Sequence, residues 1–191
     1  MIRIAIVGEI GSGKSYISNL FGFPVFNADE EVSIIYKKNK KFYLKLKKKL
    51  PNFIKTFPIN KVELFNSILK DKENLNKISM LIHPIVRNKM KKFIRKNRKK
   101  KAVILDIPLY LENNIYKKND IIIYVSAKKS EIMKRVRLRK GFSLKVYKQL
   151  KNIQFSNEKK KNKAGFFIKN NFNKKSLKKK INVLKSNIFS K

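Results

Sequence analysis

Residues 8–15 read Gly8-Glu9-Ile10-Gly11-Ser12-Gly13-Lys14-Ser15 and follow directly on a run of mostly branched apolar residues, 2–7. The octet fits G-x-x-x-x-G-K-[ST], a pattern that carries a mechanism when it lies between a strand and a helix. Both flanks supply that context. Residues 2–7 read as a short buried strand of the parallel type ended by Gly8, and 14–21 as a helix closed by Gly22. In such a loop the glycines allow a tight turn, so that successive N–H groups point at phosphate oxygens, and the following helix N-terminus adds positive potential. Lys14 is then placed to reach the β- and γ-phosphates, and the Ser15 hydroxyl to complete a Mg²⁺ shell. Glu9 is out of keeping with such a loop, because its carboxylate must point away from the phosphates or weaken their binding.

The 191 residues, 42% of them hydrophobic, suffice for one domain with a substantial core and an inserted subdomain. Cysteine is absent, which excludes disulfide frameworks and thiolate metal sites and is compatible with a reducing compartment. No apolar stretch approaches the ~20 residues of a membrane span, and 2–7 is too short for a signal-peptide core. A soluble, cytoplasmic protein without a membrane partner is expected, as a monomer or weak homo-oligomer. The 49 basic against 12 acidic side chains give a formal charge of +37. A nucleic-acid surface needs that charge gathered in a patch. Here lysines fall on nearly every expected surface from Lys37 to Lys191, beside abundant Asn, Ile, Phe and Tyr. All are residues of A/T-rich codons, so genome composition accounts for the pattern, and no specific nucleic-acid partner is expected.

Along the chain, strands and helices alternate. Residues 23–26 read as a second short strand, after which Asn27 can cap a helix beginning near Ala28 with Asp29, Glu30 and Glu31 in its first turn. Residues from about 39 to 97 read as lysine-rich helices broken at Pro51, Pro58 and the His83-Pro84 pair, without a strand. They form the bulk of a helical insertion of about residues 30–97. Residues 102–106 and 121–125 read as buried strands, and 130–140 as a helix capped by Ser130 and stopped by Gly141. A helix from Leu144 to about Lys161 capped by Ser143, a short strand at 165–168 and a terminal helix at about 174–186 complete the chain. The expected fold class is α/β, a three-layer P-loop NTPase fold with a parallel sheet and an inserted helical subdomain.

A phosphate loop alone does not separate kinases from GTPases. A GTPase would need a base-reading motif such as Asn-Lys-x-Asp after a late strand, and residues 125–129, Val-Ser-Ala-Lys-Lys, do not supply it. A small-molecule kinase needs a general base, an acceptor pocket and a basic lid that excludes water. Asp29 follows the second strand, at the sheet edge where ligands bind, and could accept a hydroxyl proton; its position also suits a carboxylate that stabilises a helix N-terminus. Asp106 at the end of a buried strand is placed to orient Mg²⁺, or to serve as a turn residue. Arg135 and Arg139 share a helix face by four-residue spacing and suit either a lid or a solvated face.

Taken together, these residues resemble the dephospho-CoA kinase family along nearly the whole chain. The loop is similar to the family's Gly-Ile-Gly-Ser-Gly-Lys-Ser, and Pro24-Val25-Phe26-Asn27-Ala28-Asp29 to its Pro-Val-Ile-Asp-Ala-Asp. His83-Pro84 with Arg87 resembles the His-Pro element of its inserted helices. Residues 105–112, Leu-Asp-Ile-Pro-Leu-Tyr-Leu-Glu, resemble its Leu-Asp-Val-Pro-Leu-Leu-Phe-Glu, the most distinctive match. Arg135, Arg139, Gly141 and Ser143 look like its lid, and Gln154-x-Ser156, Ala164 and Asn170 track its closing segment.

The resemblance implies ATP-dependent phosphorylation of the ribose 3′-hydroxyl of dephospho-CoA, with ATP and Mg²⁺ required. It implies that the helical insertion binds the acceptor and that about 135–160 form a helical lid, that Asp29 is the base, that Lys14 and Arg139 act on the transferring phosphoryl group, and that Ser15 and Asp106 serve the metal. Gly8, Gly11, Ser12, Gly13, Lys14, Ser15, Tyr16, Arg135, Arg139 and Asn170 would bind the nucleotide, and Asp29, His83, Arg87, Asp106, Pro108 and Leu109 the acceptor. The chain departs from the family at Glu9, Tyr16, Asn27, Ile132 and Gly165. None of these removes the loop lysine, the base or the paired arginines. Two rivals remain on sequence alone, a P-loop kinase of another acceptor and a nucleic-acid binder that uses the charge.

Overall fold

In a computed structural model of the protein, residues 1–139 and 141–190 are described; Lys140, the expected end of the helix after Ser130, and Lys191 lie outside them. In chain order the elements are β1 (Ile2–Gly8), α1 (Lys14–Leu20), β2 (Val25–Asn27), α2 (Ala28–Lys38), α3 (Lys40–Lys49), α4 (Lys61–Lys70), α5 (Glu73–Lys96), β3 (Ala102–Asp106), β4 (Ile121–Ala127), α6 (Lys129–Arg137), α7 (Leu144–Asn152), α8 (Asn157–Asn162), β5 (Phe166–Asn170) and α9 (Lys174–Phe189). They form two compact units, Met1–Asn27 with Lys96–Lys191, and Ala28–Arg95.

The first unit is built on a five-stranded parallel sheet of order β2-β3-β1-β4-β5. Parallel strands buried on both faces read as continuous apolar runs, which is why β3 is buried along its whole length and β1 from Ile4 onward. Ile17 of α1, the capping Phe21, and the stripe Leu177, Ile181, Leu184 and Ile188 of α9 close on Ile4, Ile6, Ile104 and Ile123 of the strands. The register pairs Gly8 with Val125, Asn27 with Asp106, and Ala127 with Asn170, so the carboxyl ends of all five strands lie on one edge.

Between β3 and β4 the chain is held by a buried polar hub. Arg3 grips Asp120 with Nε at 2.9 Å and Nη2 at 3.0 Å, and Asp120 also accepts from Tyr110 OH and from the Lys117 N–H at 2.7 Å. Burial and the bond to Asp120 push the Tyr110 phenol up, so it remains a donor.

The second unit packs α2 to α5 around Ile35, Phe42, Leu46, Leu50, Ile54, Leu64, Ile78 and Ile82. Asn39 and Asn60 cap α3 and α4 by accepting from the N–H groups of Phe42 and Val62. Among the described residues this unit contains no strand, as expected.

Three local expectations are corrected. The His83-Pro84 pair does not break a helix; α5 runs straight through it. Ile78 and Ile82 before the proline and Ile85 and Val86 after it pack on one core cluster, and burial at ~1.5–3 kcal/mol per side chain outweighs the ~3 kcal/mol of an interior proline. The single helix expected from 144 to about 161 is two. The Phe155 N–H donates to Glu112 Oε1 at 2.8 Å, and Ser156 caps α8 through the Lys159 N–H at 3.1 Å, so side chains replace the helical bonds at the break. Ser130 does not cap α6, which starts one residue earlier from Lys128 as the Ile132 N–H bonds the Lys128 carbonyl at 3.0 Å, and the helix ends at Arg137, so Arg139 lies beyond the helix that bears Arg135 rather than on one face with it.

Replacing Asp120 with Ala should lower unfolding free energy by about 2 kcal/mol, because it takes the carboxylate from the partly buried Arg3 guanidinium. Urea denaturation of the variant checks this, and a loss below about 1 kcal/mol would mean the hub is dispensable.

Candidate active site

The site grows from the end of the central strand. Gly13 stands at the N-terminus of α1 with φ +88°, and a Cβ there would collide with Asn170 Nδ2, so neither conformation nor space admits another residue. Asn170 is buried at the end of β5 with both amide ends engaged, Nδ2 donating to the Ser12 carbonyl at 2.8 Å and Oδ1 accepting from the Phe172 N–H at 2.7 Å. The Glu9 carbonyl accepts from the Ser12 N–H at 3.1 Å and from Lys14 Nζ at 3.0 Å. The lysine head therefore lies over the loop it serves. Ser12 Oγ is fully buried and has no hydrogen-bond partner among the described residues. A tight loop with no room for a side chain at Gly8, Gly11 or Gly13, opening a helix, fits a polyphosphate.

Beside the loop is a cavity of about 390 Å³ lined by Gly11, Gly13, Tyr16, Arg135, Arg139, Asn170 and Phe172. Six of the residues expected to bind nucleotide thus share one cavity, of a size usual for small ligands. Phe172 was not foreseen: the Arg135 guanidinium lies 3.8 Å from its ring centroid, so the arginine is stacked and directed rather than solvated. No motif marks Phe172, although it follows two asparagines just past a strand, where αL turns occur, and its φ is +60°.

Glu9 turns its carboxylate to the α7–α8 segment, pairing with Lys151 at 2.9 Å and accepting from Asn157 Nδ2 at 3.3 Å. Burial pushes its carboxyl up, but the hydrogen bonds of Lys151 and Asn157 and the charges of Lys151 and Lys160 outweigh this and hold it below the usual range. Lys160 was also unforeseen, since the sequence hides it in a lysine run. It is 1% exposed, with Nζ 2.9 Å from Gln154 Oε1 and 3.3 Å from Glu112 Oε1.

Asp106 ends β3, is buried, and accepts from Asn27 Nδ2 at 3.4 Å. An aspartate at 27 could not donate there while ionised. Half-buried Pro108 and Leu109 follow it. Among the described residues no three His, Cys, Asp or Glu side chains gather to hold a metal. A Mg²⁺ ion would take one carboxylate, Asp106, the Ser15 hydroxyl and substrate phosphates, a donor set that suits this ion.

In the second unit Asp29 is exposed in the first turn of α2 beside Glu30 and Glu31, and Lys89 of α5 pairs with Glu31 at 2.8 Å. His83 and Arg87 share one face of α5 by four-residue spacing. Burial, then the Arg87 charge, push the His83 imidazole below its ordinary value of 6.5.

A phosphate loop on the central strand of a parallel sheet, with paired arginines lining the cavity beside it, defines a P-loop kinase. Residues 2–176 match the dephospho-CoA kinase family, and the chain belongs to that family. A dephospho-CoA kinase of Bartonella henselae is 35% identical over 170 residues, covering 86% of this chain and 87% of that one. The crystal structure of TT1252 from Thermus thermophilus is similar with a TM-score of 0.77 and 25% identity, covering 97% of each chain. Dephospho-CoA kinase from Campylobacter jejuni has a TM-score of 0.67 at 26% identity, covering 96% of each chain.

His83 is the single histidine, so its proton NMR resonance is unambiguous. It should titrate below 6.5, and Arg87→Gln should move the midpoint up without restoring it, because burial remains. Since the folded state disfavours this proton, the unfolded chain binds more protons below about pH 6.5, and this residue's contribution to stability falls as the pH drops. A midpoint at or above the ordinary value would contradict the burial.

Proposed function

We propose that this chain transfers the γ-phosphoryl group of ATP to the ribose 3′-hydroxyl of dephospho-CoA, giving coenzyme A and ADP, the last step of coenzyme A synthesis. The observation that carries this reading is the family match from residue 2 to 176, which spans the loop, the Asp29 and His83-Pro84-x-x-Arg87 segments, and the segment with Arg135 and Arg139 together. In this reading the N–H groups of 8–15 hold the phosphates, Lys14 neutralises charge between β and γ, and Arg139 approaches the transferring group from the proposed lid. Arg135 and Phe172 form a wall for the nucleotide beside Tyr16 and Asn170. Asp29 accepts the proton of the acceptor hydroxyl, and His83, Arg87, Pro108 and Leu109 are the residues that bind the acceptor in this reading. Ser15 and Asp106 would hold Mg²⁺, which when bound would supply neutralisation of phosphate charge.

The work is positioning and charge neutralisation, so few residues suffice. The protein acts in the cytoplasm on small molecules, as a monomer or weak homo-oligomer, without a specific nucleic-acid partner. No helix among the described residues is long and apolar enough to cross a membrane.

A coupled assay with ATP, Mg²⁺ and dephospho-CoA should show ADP release that depends on the acceptor. Asp29→Asn should lower kcat by roughly 10²- to 10⁴-fold with ATP binding retained. Equal turnover on AMP or nucleosides would move the protein to another acceptor class. Full activity in Asp29→Asn would remove Asp29 as the base.

A further inference from the structure

The phosphate-loop pattern leaves residues 9–12 open, and three of them, Glu9, Ile10 and Gly11, meet the α6–α8 segment. Ile10 packs with Ile132 and Val136 of α6 and Tyr147 of α7. At Gly11 a Cβ would lie 2.5 Å from Val136 Cγ2, so α6 sits directly on the loop backbone. Glu9 adds the charged contacts, to Lys151 at the end of α7 and to Asn157 at the start of α8. A second carboxylate, Glu112 after β3, holds the chain between those contacts through the Phe155 N–H and beyond them through Lys160. The stretch 151–160 is therefore fastened by two acids from the same edge of the sheet that bears the nucleotide cavity.

We propose that Glu9 is a positioning residue for the kinase reaction, a clasp that seats the arginine-bearing α6–α8 segment on the phosphate loop through Lys151 and Asn157. The inference rests on the kinase reading above. It also explains how an acid is tolerated in a phosphate loop: the carboxylate is neutralised by Lys151 and turned to the segment, while its main-chain carbonyl orders Ser12 and Lys14. Because Arg135 and Arg139 line the same cavity as Gly11 and Gly13, releasing the clasp loosens the arginines relative to the loop that holds the phosphates.

The proposal makes a prediction opposite in sign to simple electrostatics. Removing a negative charge beside phosphates should by itself tighten nucleotide binding. The clasp requires the reverse. In Glu9→Gln, the Kd for ADP·Mg²⁺ and the KM for ATP should rise by roughly fivefold, and kcat should fall as Arg139 loosens. Lys151→Met should weaken binding to a similar degree, Lys151→Arg should restore most of it, and Glu9→Gln with Lys151→Met should be no worse than either alone.

Calorimetric titration with ADP·Mg²⁺ reads binding without any acceptor. Thermal melts without nucleotide show that each variant folds, and the exposed Lys151 and Asn157 supply folded variants should the Glu9 substitution fail. Nucleotide binding by Glu9→Gln as tight as wild type or tighter, or additive losses in the double variant, overturns the clasp. If Glu9→Gln does not fold, equal ADP affinity in Lys151→Met and wild type overturns it. Failure of the wild-type chain itself to bind ADP·Mg²⁺ would sink the kinase reading, and the clasp with it. Binding that stays normal while turnover on dephospho-CoA is absent would leave the clasp testable and reject the acceptor alone.

Discussion

The left-handed backbone at Gly13, pressed against the Asn170 amide, is the constraint on which the rest of the nucleotide site depends. It allows the chain leaving β1 to reverse and enter α1 with its first N–H groups directed into the loop. The same contact joins the loop to the end of β5, because Asn170 bonds the Ser12 carbonyl and orders the turn that carries Phe172. A hydrophobic core alone would leave this loop free to adopt many conformations. Here one buried amide and one glycine restrict it to a single shape.

The scarcity of acids gives each of them weight. With 12 acidic side chains against 49 basic ones, most lysines have no carboxylate to pair with, and repulsion among them opposes compaction. The structure spends its acids as tethers. Asp120 fixes the β3–β4 connection through Arg3, and Glu112 fixes the α7–α8 break through Phe155 and Lys160. Glu31 ties α5 to α2 through Lys89, and Glu63 gathers the N–H of Lys55 and the hydroxyl of Thr56 onto α4. The exposed lysines around them carry solubility and little else.

Where the sequence was legible, local pattern and tertiary environment agreed. The loop octet, the apolar runs of β1, β3 and β4, and the cap Ser143 all follow from short-range chemistry that packing reinforces. Where it misled, a distant contact overrode a local preference. Pro84 stays helical because its neighbours on both sides share one core cluster, and α7 ends because Glu112, some forty residues away, takes the Phe155 N–H. Lys160 could not be singled out, since a lysine run gives no sign of which member a fold will bury.

From sequence alone followed the fold class, the nucleotide loop and the family, because each is written in residues whose spacing along the chain is itself the signal. Glycines, a lysine and a serine at fixed intervals after an apolar run have few physical uses. Only the tertiary structure decided that Glu9 turns toward Lys151 and Asn157, that Arg135 stacks on Phe172, and that Asn27 donates to Asp106. Those pairs lie from 37 to 148 residues apart in the chain. Their geometry is set by strand register and helix docking, which no local preference encodes.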